Sequence, residues 1–352
     1  MPNVPNYSLR GSYERACARS SAADPKRRHT PSPDRSFERE HGQSFAPRLS
    51  AYEHEGYPGR DGHDDEYSEE PLLDQLGYPP RDDMEHGSGT YTHDTRDIKG
   101  IVIEVDGASA ASFVRVRSVE GDSNNSTTLT LRASVLVSNP LLVERTRVRT
   151  SRDGNIFMMH IDVPKQYLFY KCVRTEIELI LPRTSPALHV LRLELTNGDV
   201  VIEPSAIHAQ IKNFDMYAQN ARAALEALNA TAAAVGVHRG SLNATIWQPE
   251  LVHMNVAQGP VTISIPAYGP SQPTVRAEST DGRVSVRMGH GFTGWFVASA
   301  YRAVAAVRTA LANRMSLHTT AQQLKTGWCG SSAGEGRIEA DSMKNSVEVS
   351  FE

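Results

Sequence analysis

From Val190 to Glu352 one short phrase keeps returning: alternating apolar and polar residues, a turn with glycine or asparagine, then alternation again. The copies are Leu193-Glu-Leu-Thr-Asn-Gly198-Asp-Val-Val-Ile202, Met216-Tyr-Ala-Gln-Asn220-Ala-Arg-Ala-Ala-Leu225, Val237-His-Arg-Gly240-Ser-Leu-Asn-Ala-Thr-Ile246, Met254-Asn-Val-Ala-Gln-Gly259-Pro-Val-Thr-Ile263 and Val275-Arg-Ala-Glu-Ser-Thr-Asp-Gly282-Arg-Val-Ser-Val286. Two late copies surround Gly336 and Asn345. The turn positions Gly198, Asn220, Gly240, Gly259 and Gly282 stand 19 to 23 residues apart. Such a period marks a stack of similar units.

Glycine and asparagine tolerate positive φ, so they sit where a strand turns sharply. The flanking period-two runs place Val, Ile, Leu, Ala and Met on one face and polar residues on the other. One unit of this size cannot bury its apolar face alone, whereas coils stacked at about 4.8 Å bury it and bond to the coils above and below. The predicted fold is therefore all-β, a single-stranded β-helix or solenoid. An antiparallel sandwich is the competing reading, since it also gives short strands at regular spacing.

Strand patterns begin upstream of the clearest repeats, near Asp97, with Ile101-Val-Ile-Glu-Val105 and Phe113-Val-Arg-Val-Arg-Ser-Val119. Residues 97–352 are predicted as one β-solenoid domain without a linker. Two alanine-rich stretches, 218–234 and 297–311, are ambiguous, because alanine leads the helix scale while the repeat register runs through the first of them. Strand is favoured for 218–234, with alanine as the small inward residue of a narrow coil. An inserted helix or an irregular turn is the alternative for 297–311.

Residues 1–96 are rich in Pro, Ser, Gly and charge and poor in β-branched residues, which predicts a disordered tail. From Asp61 to Asp94 it carries eleven acidic residues against one basic, Arg81. Short signals stand within it: Lys26-Arg27-Arg28 beside Thr30-Pro31 and Ser32-Pro33, and the cluster Leu72, Leu73 and Leu76. Each has a bland reading as composition.

With a net charge of −4 over 352 residues, the chain carries no bias toward nucleic acid. The alternating Arg145, Arg147 and Arg149, and Arg115 with Arg117, lack interleaved aromatics and read as solvated or edge-protecting strand faces. Three cysteines, Cys17, Cys172 and Cys329, form neither a disulfide framework nor a metal cluster. No apolar run suits a signal peptide or a membrane span, so an intracellular, most simply cytoplasmic, chain is expected, with nucleus or cell surface as alternatives. The triplets Asn229-Ala-Thr231 and Asn243-Ala-Thr245 then read as turn and strand residues rather than as glycosylation acceptors.

Catalytic signatures are missing from the pattern. Histidines 160, 208, 238, 253, 290 and 318 lack metal-ligand spacing. The acids Glu194, Asp199, Asp281, Glu335 and Glu339 are spread beside turns, where solubility and turn formation account for them. No cofactor, metal or catalytic residue is expected. The remaining candidate is aromatic: Phe292, Trp295, Phe296 and Trp328, either a binding patch or a cap over the end of the core.

Ile177-Glu-Leu-Ile-Leu-Pro182 and Leu188-His-Val-Leu-Arg-Leu-Glu-Leu-Thr-Asn-Gly-Asp-Val-Val-Ile202 resemble the strand, Asn-Gly-Asp and strand phrase of the adhesin-like DUF4097 family of β-solenoids. Gly291-Phe-Thr-Gly-Trp-Phe-Val-Ala-Ser299, Lys325-Thr-Gly-Trp-Cys-Gly330, Gly334-Glu-Gly-Arg-Ile-Glu-Ala-Asp-Ser342 and the closing Val347-Glu-Val-Ser-Phe351 are similar to the last block of its fungal DUF7330 type. The resemblance covers roughly 97–352. It implies a right-handed winding, no established enzymatic activity and an adhesive role carried only by the family's label. The chain departs from the pattern at Asn220 and in the alanine-rich insertion. The expected function is a non-catalytic scaffold that binds a protein partner or itself. A cell-surface or cell-wall adhesin is the first alternative, and a carbohydrate-active β-helix, with a carbohydrate ligand, the second.

Overall fold

The computed structural model describes residues 86–352 except 95, 108–109, 120–127, 138–144, 164–172, 184–186 and 311, all within a compact unit spanning Glu69–Glu352. The short signals around Lys26–Pro33 and Leu72–Leu76, and Cys17 and Cys172, lie outside the described residues. The rest is strand almost throughout, with two 3-10 turns at Pro204–His208 and Ala312–Arg314.

The first half contains β1 (His86–Asp94), β2 (Gly100–Asp106), β3 (Ala110–Val119), β4 (Thr128–Val137), β5 (Arg147–Asp153), β6 (Ile156–Asp162), β7 (Val173–Pro182), β8 (Leu188–Ile202) and β9 (Ile211–Trp247). The second half contains β10 (Leu251–Gln258), β11 (Val261–Ile265), β12 (Thr274–Ser279), β13 (Val284–Met288), β14 (Gly294–Ala300), β15 (Ala305–Thr309), β16 (Met315–Thr320), β17 (Leu324–Cys329), β18 (Gly336–Ser342) and β19 (Val347–Phe351).

Successive coils pair in parallel and in register, which rules out the antiparallel sandwich. Leu188–Ile202 lies on Ile211–Leu225, Ala232–Val237 on Leu251–Val256, and β10 and β11 on β12 and β13. Along β7 burial alternates from Val173 to Leu181, and the same alternation marks β10, β12, β14 and β18. The inward set, including Val252, Met254, Val275, Ala277, Ile338 and Ala340, has no accessible surface. Burying a Val or Ile side chain contributes about 1.5–3 kcal/mol, so the inward column of each coil is the main driving force for stacking.

The long β9 is two coils rather than one extended strand. Its first part pairs with β8, and Gly240 in its second part stacks on Ala221 in its first. The alanine-rich stretch 218–234 is therefore strand, with Ala218, Ala223, Ala230 and Ala233 pointing into the core. Local propensity for helix loses here because each coil finds a complete ladder on both sides. The stretch 297–311 is likewise not helical, since it holds most of β14 and all of β15.

One strand lies upstream of the expected start near Asp97. β1 falls within residues that composition assigns to the tail, and it pairs antiparallel with β4 over its whole length. Its sequence, His-Gly-Ser-Gly-Thr-Tyr-Thr-His-Asp, carries no aliphatic residue, so the hydrophobic pattern misses it. Tyr91 and His93 both contact the ring of Phe157 at the end of the core.

The coils do not follow one another in sequence order at either end. β2 and β3 lie between β6 and β7 on one side and β8 on the other. β18 and β19 lie between β12 and β13 on one side and β14 and β15 on the other. Antiparallel strands flank the outer coils: β5 on β6, β4 on β7, and the β16–β17 hairpin on β14.

Candidate functional site

The turn positions read from the sequence form a column through the middle of the rod. Gly198 lies over Ser112, Gly240 over Ala221, Gly259 over Gly240 and Gly282 over Gly259. Asn220 stands one position out of that column, because Gly198 pairs with Ala221 while Asn220 pairs with Asn197. The two asparagines bond side chain to side chain, Asn220 Nδ2 donating to Asn197 Oδ1 at 2.7 Å. Gly336 belongs to another corner, where it pairs with Gly294 at the start of β18 and β14. Ser279 Oγ donates to the Gly259 carbonyl at 2.9 Å and Ser342 Oγ to the Gly282 carbonyl at 2.8 Å. These hydroxyls satisfy turn carbonyls that the ladder leaves over.

The four aromatic residues named from the sequence divide between two faces. On β14 the order is Gly294 in, Trp295 out, Phe296 in. Phe292 and Phe296 are buried at 2 and 0 % exposure and pack on Phe351, with centroids 5.6 and 5.4 Å away. Trp295 and Trp328 face outward, half-buried, as cross-strand partners of β14 and β17. Their rings meet edge to face at 5.2 Å, and His318 of β16 meets Trp295 in the same way at 5.5 Å. The parity of Phe292, Gly294 and Phe296 foreshadows this split in the sequence. His318 carries no such signal, since only the hairpin brings it beside Trp295.

The tryptophan pair belongs to a continuous outer face. Reading from Trp328, register neighbours are Trp295, Arg337 and Thr274, and one step along lie Val297, Glu339, Arg276 and His253. His253 lies beside Ala234, and farther along the rod Tyr217 lies beside Glu194. Tyr217 is 56 % exposed, and its ring lies in van der Waals range of the Cβ position of Gly236 on the next coil. The face thus runs from charged coils through a shelf of small residues, Ala232, Ala234 and Gly236, to a second charged region and the tryptophans.

Charges on this face are paired within single strands. Arg192 binds Glu194, Arg276 binds Glu278 and Arg337 binds Glu339, each two residues apart and so on the same side of the strand. Glu278 is held down at about 2 by His253 and Arg276. His253 Nε2 stands 3.9 Å away, beyond direct hydrogen-bond reach, so the Arg276 Nε donor at 2.5 Å is the tighter contact. Burial pushes the carboxyl of Asp341 up, and the neighbouring Glu278 and Glu339 push it further. Asp215, facing Arg192 across the ladder, is also raised by burial, with Arg192 acting against the rise.

The remaining candidates are tied into the scaffold. Arg117 binds Glu178 at 2.7 Å, and Arg115 lies 3.3 Å from Glu203 and over the Phe113 ring. Arg145 and Arg147 are exposed at the start of β5, which among the described residues pairs with β6 alone. Asn229 Nδ2 donates to the Ile207 carbonyl of the preceding coil, a coil-to-coil bond. Among the described residues no group of three or more His, Cys, Asp or Glu has a geometry that would hold a metal ion. Cys329 is buried, and burial raises its thiol. No helix among the described residues is long and apolar enough to cross a membrane.

No family model matches the chain, and no curated protein matches it. Solved structures resemble it, two of them as follows. A candidate cell adhesion protein from Clostridium sporogenes is 9% identical, with the match covering 76% of this chain and 100% of that one at a TM-score of 0.33. A candidate adhesin from Bacteroides fragilis is 12% identical, covering 75% of this chain and 97% of that one at a TM-score of 0.29.

Proposed function

We propose that the chain is a non-catalytic interaction scaffold, a rod that presents its outer face to a protein partner or to a second copy of itself. The observation that carries this reading is the face itself. Its glutamates Glu194, Glu278 and Glu339 are each paired with an arginine on the same strand, while Trp295, Trp328, His318 and Tyr217 remain at the surface. Paired carboxylates of this kind suit specificity and solubility better than acid–base chemistry, and aromatic side chains supply most of the energy at recognition surfaces. A carbohydrate ligand is the alternative occupant, since half-buried tryptophans beside charged groups also suit sugar rings. Right-handed winding belongs to the same reading, being the hand that parallel strand connections adopt in about 98% of cases.

Proximity labelling in the source cell, with the full chain against a Trp295→Ala/Trp328→Ala double variant, tests the proposal. A defined set of neighbours that the double variant loses is the expected result, and an unchanged set would overturn it. Fractionation of the same tagged chains decides the setting. Intracellular recovery fits the scaffold, and recovery in the wall or outer surface would replace it with the adhesin reading.

A further inference from the structure

The coils that come first and last in the sequence are not the outermost coils of the rod. β2 and β3 are covered on the outer side by β6 and β7 and on the inner side by β8. β18 and β19 are held in the same way. β18 pairs with six residues of β12 and seven of β14, and β19 with five residues each of β13 and β15. The inward side chains of both coils, Ile101, Ile103, Val114 and Val116 at one end and Ile338, Ala340, Val347 and Val349 at the other, have no accessible surface.

We infer that these two coils are two-sided clamps, built so that the solenoid cannot unravel from its first or last coil. Unravelling of a stacked rod starts at a strand with one free edge, because such a strand loses a single ladder on leaving. Among the described residues the strands paired on one side only are β1, β5, β15 and β16. β1 can therefore fray from β4, whereas β2, the next strand along the chain, has a ladder on each side. Freeing β18 and β19 requires breaking the ladders to both neighbouring coils together. Electrostatics follows the same plan, since the single carboxylate of Glu348 on β19 binds Arg283 beside β13 and Arg308 of β15. One side chain thus ties the clamped coil to both of its neighbours. Lys344 adds a further tie to Asp281 at 3.1 Å, and Ser342 a hydrogen bond to the Gly282 carbonyl.

The opening order of the rod is therefore set by strand position and not by sequence position. Edge strands inside the sequence open before the sequence's last coil does. Hydrogen exchange with mass spectrometry on the full chain reads this directly. Peptides over β18 and β19, and over β2 and β3, are expected to exchange with the mid-rod strands β10 and β11. They should be slower than β15 and β16 by about tenfold or more, given the spread of local opening energies in folded proteins. Exchange of β18–β19 at or above the rate of β15 would overturn the clamp. A Glu348→Gln variant provides a second readout: faster exchange in β15 with β10 and β11 unchanged supports the bridging role, and no change in β15 removes Glu348 from it.

Discussion

Gly259 lies directly over Gly240, so close that a Cβ at residue 259 would stand 1.7 Å from the Gly240 carbonyl oxygen. Its φ of 143° is also one that side chains rarely adopt. Gly259→Ala must therefore push two coils apart or change the turn, at a cost of about 2 kcal/mol or more. Ala221, in the same column, is the converse variant, because Ala221→Gly introduces no clash and costs only chain flexibility and one buried methyl, together roughly 1–1.5 kcal/mol. Urea unfolding midpoints of the two variants check the contrast.

The two aromatic faces should respond differently to truncation. Phe296→Ala removes a fully buried ring and is expected to cost about 3–5 kcal/mol. Trp328→Ala breaks a half-buried edge-to-face pair worth about 0.5–1.5 kcal/mol beyond its buried area, so its effect on thermal stability is smaller. If the interaction face is read correctly, Trp328→Ala loses partner contact while keeping its fold. Calorimetry paired with the labelling experiment separates the two effects.

Glu278 gives the rod a defined acid sensitivity. Its folded carboxyl sits at about 2, below the ordinary value of 4.5. The stabilisation is therefore fully present above about pH 4.5 and is lost as pH falls from there toward 2. Glu278→Gln should be less stable than the parent at pH 7 and should approach it near pH 2. Because the group is partly exposed, solvent screening keeps the difference small, roughly 1 kcal/mol or less.

Asp341 has the opposite sign. Burial and the neighbouring glutamates raise its carboxyl, so the ionised form opposes folding at neutral pH and protonation relieves it as pH falls. Asp341→Asn, which keeps the shape and a partner for Ser299, should unfold at a higher temperature than the parent at pH 7. The gain should shrink in acid. Melting curves at the two pH values test the sign.

How much of this was legible in the sequence depends on whether a feature is local. The inward column and its glycine turns are written in period-two alternation, and Ala221, Ala223, Leu225 and Ala227 keep that period within a stretch whose composition favours helix. At Asn220 composition points to an asparagine turn, whereas the ladder aligns this residue with Asn197 and gives the glycine column to Ala221. β1 has no aliphatic pattern and is held by its partner β4 and by contacts of Tyr91 and His93 with Phe157, so nothing within its own nine residues announces it. The exchanged order of the terminal coils was equally hidden, because the phrase around Gly336 looks like the next repeat whether its neighbour is β14 or β12. His318 reaches Trp295 only through a hairpin whose register shifts between Leu317 and Thr319.

Arginine and glutamate two residues apart on the strands of Arg192, Arg276 and Arg337 mean that these coils carry their own counter-ions. Each of these arginine–glutamate pairs is complete within its own strand, so its neutralisation does not depend on which coil stacks beside it. Side-chain charge on these strands is therefore settled along the strand, while the ladders between coils are left to backbone hydrogen bonds and the inward apolar column.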